Sequence, residues 1–219
     1  MTRKQTLLKA LILLSTAYAM AMVFHWTIGF TYFTQLSNLF AAGVALAQLL
    51  ARGRGPAWLK PLKFSATVSI TVTFLVYLTV LAPLTPGGLL AAYGADHCAS
   101  LCLHVITPLL TLADFFLNDA GFPWRRRHLL WAAAPPLGYL AFILALGRFG
   151  VRWGRGSMAA PYMFLNYEGP AGWFGFAPEA AGLTAPGIGA AYCMALLLLG
   201  ILALGALLLA LARRFGSGN

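Results

Sequence analysis

The sequence predicts an all-α fold: an integral membrane bundle of six transmembrane helices with both termini cytoplasmic. Three observations lead there. Of the 219 residues, 60% are hydrophobic and 9% are charged, where a soluble domain carries about 25% charged residues. The apolar residues gather into six runs, most of them near the roughly 20 residues that a spanning helix needs. The basic residues lie between those runs rather than along one soluble face. This excludes a nucleic-acid partner despite the net charge of +10 and makes the charges topological.

The runs are Leu7–His25, Gln35–Leu50, Phe64–Ala82, Cys98–Leu117, Leu129–Leu146 and Ile188–Leu211. Within the first, Arg3, Lys4 and Lys9 precede the apolar stretch Leu11–Val23, and 17-AYAMA-21 has the look of a signal-peptide cleavage site. Its apolar stretch continues toward Phe30, so it reads as a retained first helix. A short turn around Gly29 leads into the second helix. Gly53–Pro56, Gly87-Gly88 and Gly121-Phe122-Pro123 mark further turns. With the N-terminus inside, twelve basic residues fall on the cytoplasmic side and three, Arg148, Arg152 and Arg155, fall outside. That asymmetry sets the orientation. The whole chain, 1–219, reads as one domain, because its loops are too short for a second fold.

One loop is long. Residues 148–187 form an outer segment rich in aromatics, including Trp153, Tyr162, Phe164, Tyr167 and Trp173. Disordered segments are poor in aromatics, so an ordered loop is expected. Two uses fit it equally: an aromatic belt at the membrane surface, or a lid over a site. The cysteines Cys98, Cys102 and Cys193 show neither CxxC nor zinc spacing and read as packing residues. No cofactor or metal is implied.

Polar residues within the apolar runs carry the functional signal. His97, Ser100, His104, Thr107, Thr111 and Asp114 are spaced three or four apart and draw one stripe down the fourth helix. Pro108, a turn after His104, frees a backbone carbonyl. On the third helix Ser65, Ser69, Thr73 and Tyr77 share a face, where hydroxyls commonly serve interhelical hydrogen bonding. The second helix opens with Thr34, Gln35, Ser37 and Asn38. His104 lies roughly 9 Å below the outer end of its helix, within depth of Thr34 and Asn38, and Asp114 lies about 15 Å further in. Asp114 is therefore expected to pair near the cytoplasmic end.

A Thr hydroxyl beside a neutral His forms a nucleophile and base pair. The unpaired N–H groups of a helix start, with Asn38, would hold an oxyanion. Alternatively, Thr34 is only an N-cap. Two other classes remain at this point. His25, His97 and His104 would serve a haem-binding redox protein, and a polar cavity would serve a transport or lipid-binding protein.

The motifs YFTQLSN, LCLHVITPLLTLAD and PYMFLNYEGP, in that order, resemble the family of the androgen-induced protein and the androgen-dependent TFPI-regulating protein, whose bacterial branch is the Pr6Pr-type membrane proteins. The resemblance spans most of the chain. It implies a six-helix threonine hydrolase that cleaves the ester bond of fatty-acid esters of hydroxy fatty acids, a lipid substrate drawn from the bilayer, and a bacterial cytoplasmic (inner) membrane. It places the nucleophile on Thr34, the catalytic base on His104 and a supporting acid on Asp114. Ser37, Asn38, Tyr77, Ser100 and Tyr162 become oxyanion or substrate-contacting candidates. The chain departs from the family with Met163 where Pro is usual and Asn166 where an acid is usual, and Glu168 stands out of register. Asn166 is then the candidate for the acid's supporting place.

Overall fold

The computed structural model describes residues 1–23, 29–52, 54–154, 158–178 and 187–216. Among them the structure is helical, with isolated bridges Trp153 to Met158 and Phe176 to Ile188 in place of any sheet. The helices are α1 (Arg3–Val23), α2 (Phe33–Leu50), α3 (Leu59–Val76), α4 (Gly88–Leu101), α5 (Thr107–Asn118), α6 (Leu129–Arg148) and α7 (Ala190–Gly216). One π-helical turn, Tyr77–Leu81, prolongs α3, and a second, Cys102–Ile106, joins α4 to α5. Among the described residues, six spans are long and apolar enough to cross a membrane, the fourth running from Asp96 to Asn118. The chain is an integral membrane protein of the all-α class.

Both termini lie at one end of the bundle. Lys9 of α1 bonds Asp114 of α5 at 2.7 Å. At the same end Phe215 packs on Phe116 with ring centres 5.8 Å apart, and Arg213 donates to the Trp124 carbonyl at 3.2 Å. A core of Phe64, Phe115, Trp124 and Leu208 closes this end. Small residues let the backbones approach, as is usual between membrane helices. A Cβ on Gly205 would stand 3.3 Å from Ala132, so α7 sits close against α6.

Several spans differ from their sequence bounds for definable reasons. The third begins at Leu59 rather than Phe64. Lys63 looks like a helix-ending charge, yet it is fully buried and bonded to Asp114, so the helix runs through it. The sixth continues to Gly216, past Leu211, carrying Arg213 and Arg214 out of the apolar core. The fifth contains Pro135 and Pro136. Pro135 has no N–H to offer the Trp131 carbonyl. The Ser65 hydroxyl of α3 donates to that carbonyl instead. One residue of the third-helix hydroxyl face thus repairs a proline defect.

The described residues of the long loop, 148–154 and 158–178, pack against the bundle in part. Trp153 is 1% exposed and donates from its indole to the Thr31 hydroxyl at 2.8 Å. Leu165, Tyr162 and Phe164 pack against Tyr139, Ile143, Phe33 and Leu36 at the outer ends of α2 and α6. Gly147 allows the loop to land, because a Cβ there would lie 2.6 Å from the Tyr167 hydroxyl. Phe174 and Phe176 point outward, 69% and 72% exposed. Among the described residues, Tyr162, Phe164 and Leu165 thus cover the bundle, while Phe174 and Phe176 face away from it.

Candidate functional site

Thr34 is the second residue of α2. The N-cap is Tyr32, in extended conformation with no side-chain cap bond. The capping role for Thr34 is thus corrected: its hydroxyl is not tied to the helix start, because the helix begins one residue before it. The first N–H groups of the helix have no intrahelical partner. That of Thr34 donates to the Tyr162 hydroxyl at 3.4 Å. Tyr162 is half-buried as a residue, but its hydroxyl end is enclosed, and that burial holds its pKa above the usual tyrosine value. It is a neutral O–H group in contact with the nucleophile candidate.

His104 sits in the π-helical turn, and the turn follows from Pro108. The Thr107 N–H reaches back to the Cys102 carbonyl, five residues away. In that register the Leu103 carbonyl would need the N–H of residue 108, which a proline lacks. The side chain of Asn38 fills the gap, donating to Leu103 O at 3.0 Å and to Thr34 O at 2.8 Å. Carbonyls only accept, so both bonds come from the amide nitrogen. Asn38 is fully buried, its donors are committed, and its Oδ1 has no partner. It clamps α2 to the turn that carries His104 and has no donor left for an oxyanion.

The His104 ring is fixed on two sides. Its Nδ1 lies 2.8 Å from the Ser100 carbonyl, which can only accept, so Nδ1 carries the proton and Nε2 carries the lone pair. The ring stacks on Tyr77 with centres 3.5 Å apart and 12° between planes. Tyr77 in turn donates to the Ala92 carbonyl at 2.9 Å and stands 2.8 Å from Ser100 Oγ. The direction of the chain follows: Ser100 donates to Tyr77, and Tyr77 to Ala92. Ser100 and Tyr77 are positioning groups for the imidazole, and Nε2 has no hydrogen bond among the described residues.

Thr34, His104, Tyr77, Ser100 and Tyr162 line one cavity of about 870 Å³ at the end of the bundle away from the termini, bordered also by Trp153 and Pro161. No hydrogen bond joins Thr34 to His104 among the described residues; they face a common space. The cavity also takes in Gln35, with an unpartnered Oε1, and Arg152. Sequence reading passed over both: Gln35 as one of a polar cluster, Arg152 as a topology charge. Arg152 Nη2 meets Glu168 at 3.3 Å, and its Nη1 donates to Gly147 O at 2.8 Å.

The remaining candidates lie elsewhere. The Ser37 hydroxyl is buried and shared between Thr34 O at 3.1 Å and the Thr73 hydroxyl at 2.8 Å, so it braces α2 on α3. Asn166 accepts from the Ala159 N–H at 3.1 Å and shapes the loop. Asp114, fully buried, bonds Lys9, Lys63 and Asn118 at the far end, where depth alone had placed its partners. The polar stripe holds from Ser100 to Asp114, all buried. It breaks at His97, which is exposed. Asp96, His97 and Cys98 have φ of 51°, 55° and 66°, a left-handed step costing roughly 1–2 kcal/mol per residue. That step turns His97 off the face. His25, the other candidate haem ligand, lies outside the described residues.

No family model, curated protein or solved structure matches this chain.

Proposed function

We propose that this protein is a membrane-embedded hydrolase of a lipid ester, with Thr34 as nucleophile and His104 as base. The observation that carries the reading is the state of His104: a ring held by a backbone carbonyl and a stacked tyrosine, with a free Nε2 on the cavity that Thr34 also lines. A base oriented through one nitrogen and free at the other suits proton transfer. Catalytic hydrogen bonds commonly tighten only once substrate is bound.

In this mechanism Thr34 Oγ attacks the ester carbonyl carbon and Nε2 of His104 takes its proton. The carbonyl oxygen becomes an oxyanion beside the Tyr162 hydroxyl and the backbone N–H groups of the first turn of α2. As the carbonyl re-forms, the bond to the alcohol oxygen breaks, and His104 returns the proton to that oxygen. Water, deprotonated by His104, then attacks the acyl carbon; the bond to Thr34 Oγ breaks, His104 returns the proton to that oxygen, and the fatty acid leaves. The positive-inside pattern sets the termini in the cytoplasm and the site toward the outer face, in a bacterial inner membrane by the resemblance described above. The ester of a hydroxy fatty acid is the substrate class that resemblance favours.

Purified protein in detergent, offered such an ester, should release free fatty acid. Thr34→Ala and His104→Ala should each abolish release while the protein remains monodisperse. Normal turnover in either variant would contradict the assignment. A second reading, a non-catalytic lipid-binding protein, draws on the missing bond between Thr34 and His104. It predicts lipid retained through purification and no release by the wild type.

A further inference from the structure

Thr34 stands between two different spaces. On one side is the polar cavity. On the other is a narrow slot of about 70 Å³ that shares Thr34, Tyr77, Leu81 and Tyr162 with it. Phe33, Val76, Pro136, Leu140 and Leu197 form much of the slot wall. The hydroxyls that border the slot are mostly spent on other partners. Thr73 is held by Ser37, Tyr139 donates to Thr31 O at 2.9 Å, and Tyr77 to Ala92 O. What remains for a ligand is hydrocarbon, with Thr34 and Tyr162 at its inner end.

The slot continues outward. Val72, Val76, Phe164, Leu197 and Ile201 belong both to it and to an apolar groove of about 360 Å³ between α3 and α7. The groove rim includes Leu75 and Leu196, 39% and 62% exposed. Both helices are membrane spans, so the medium at that rim is the hydrocarbon of the bilayer.

We propose that the α3–α7 groove and its slot hold a single hydrocarbon chain of a bilayer lipid, with the carboxyl end of that chain at Thr34. Taken with the hydrolase reading, on which this part rests, the arrangement assigns the two halves of the ester. The acyl half lies in the slot and stays there as the acyl-threonine. The alcohol half lies in the polar cavity and leaves by it. Chain length of the acyl half is then read by the slot, whereas the alcohol half meets Gln35 and Arg152.

The test uses two readouts on the full chain in nanodiscs. A palmitate carrying a mid-chain diazirine is photolysed and the labelled residues are mapped. Aryl esters from acetyl to palmitoyl are assayed in parallel. Labelling is expected on the α3 and α7 segments around Val76 and Leu197. Leu197→Trp and the milder Val76→Phe should lower it about fivefold and lower the ratio of kcat/KM for the palmitoyl ester to that for the acetyl ester about tenfold. Labels spread over the outer faces of other spans, or unchanged in both folded variants, would overturn the chain site. If labelling maps to the slot but no ester is cleaved by the wild type, the chain site stands and the hydrolase reading falls. If esters are cleaved but labels lie elsewhere, the reverse holds. The wild-type map decides the matter even where Leu197→Trp fails to fold.

Discussion

At the scale of single residues, the polar start of α2 divides into three jobs. Thr34 faces the cavity, Ser37 braces α3, and Asn38 repairs the carbonyl that Pro108 leaves without a donor. The sequence displays all three side chains within one turn and offers no means of separating them. Their partners, Thr73 and Leu103, lie 36 and 65 residues away. Thr34 and His104 stand out in the sequence because a hydroxyl opening the second apolar run and an imidazole at similar depth in the fourth could meet, and the structure places both on one cavity. The tautomer was not, since it depends on a backbone carbonyl. Tyr162 carries the sharper consequence. Tyr162→Phe removes the hydroxyl that accepts from the Thr34 N–H, and kcat should fall on the order of 100-fold with KM little changed. A fall confined to KM would show that Tyr162 only binds substrate. Thr34→Ser should retain measurable turnover, because the hydroxyl survives.

At the scale of elements, the fourth span is organised by its defects. A left-handed step at Asp96–Cys98 turns His97 outward, a π turn at Cys102–Ile106 presents His104, and Pro108 fixes where that turn falls. Residue spacing gave the stripe from Ser100 to Asp114, since helical periodicity survives a single wide turn. It misplaced His97 because three non-glycine residues in a left-handed conformation have no sequence signal. Deeper in the same span, Asp114 holds Lys9 of α1 and Lys63 of α3. Removing one member of a buried ion group leaves an uncompensated charge, at a cost of about 3–5 kcal/mol. Asp114→Asn strands two ammonium groups and should strongly lower the unfolding midpoint in detergent. Replacing all three with Met or Leu should recover much of the loss. If Asp114→Asn melts like the wild type, the triad does not pin α1, α3 and α5 together.

At the scale of the whole molecule, six spans place both termini at one end and the candidate site at the other. Composition and charge were sufficient for the number and nature of the spans, because the bilayer allows few solutions. The span ends were less legible: Lys63 and Arg213 extend helices that charge counting would stop. Introduced cysteines should settle which side is which. A membrane-impermeant maleimide added to intact cells should label a cysteine at Gly172 in the outer loop, and should reach one at Thr2 only after lysis. The opposite pattern would invert the topology and put the site on the inner face.

The central claim is an activated threonine, and a lipid-like fluorophosphonate reads it directly. Wild type, Thr34→Ala and His104→Ala, each shown to be folded and monodisperse, are exposed to the probe and resolved on a gel. The account predicts a labelled wild type with the adduct on Thr34, no label in Thr34→Ala and a much weaker one in His104→Ala. Full labelling of Thr34→Ala, or none of the folded wild type, would contradict it.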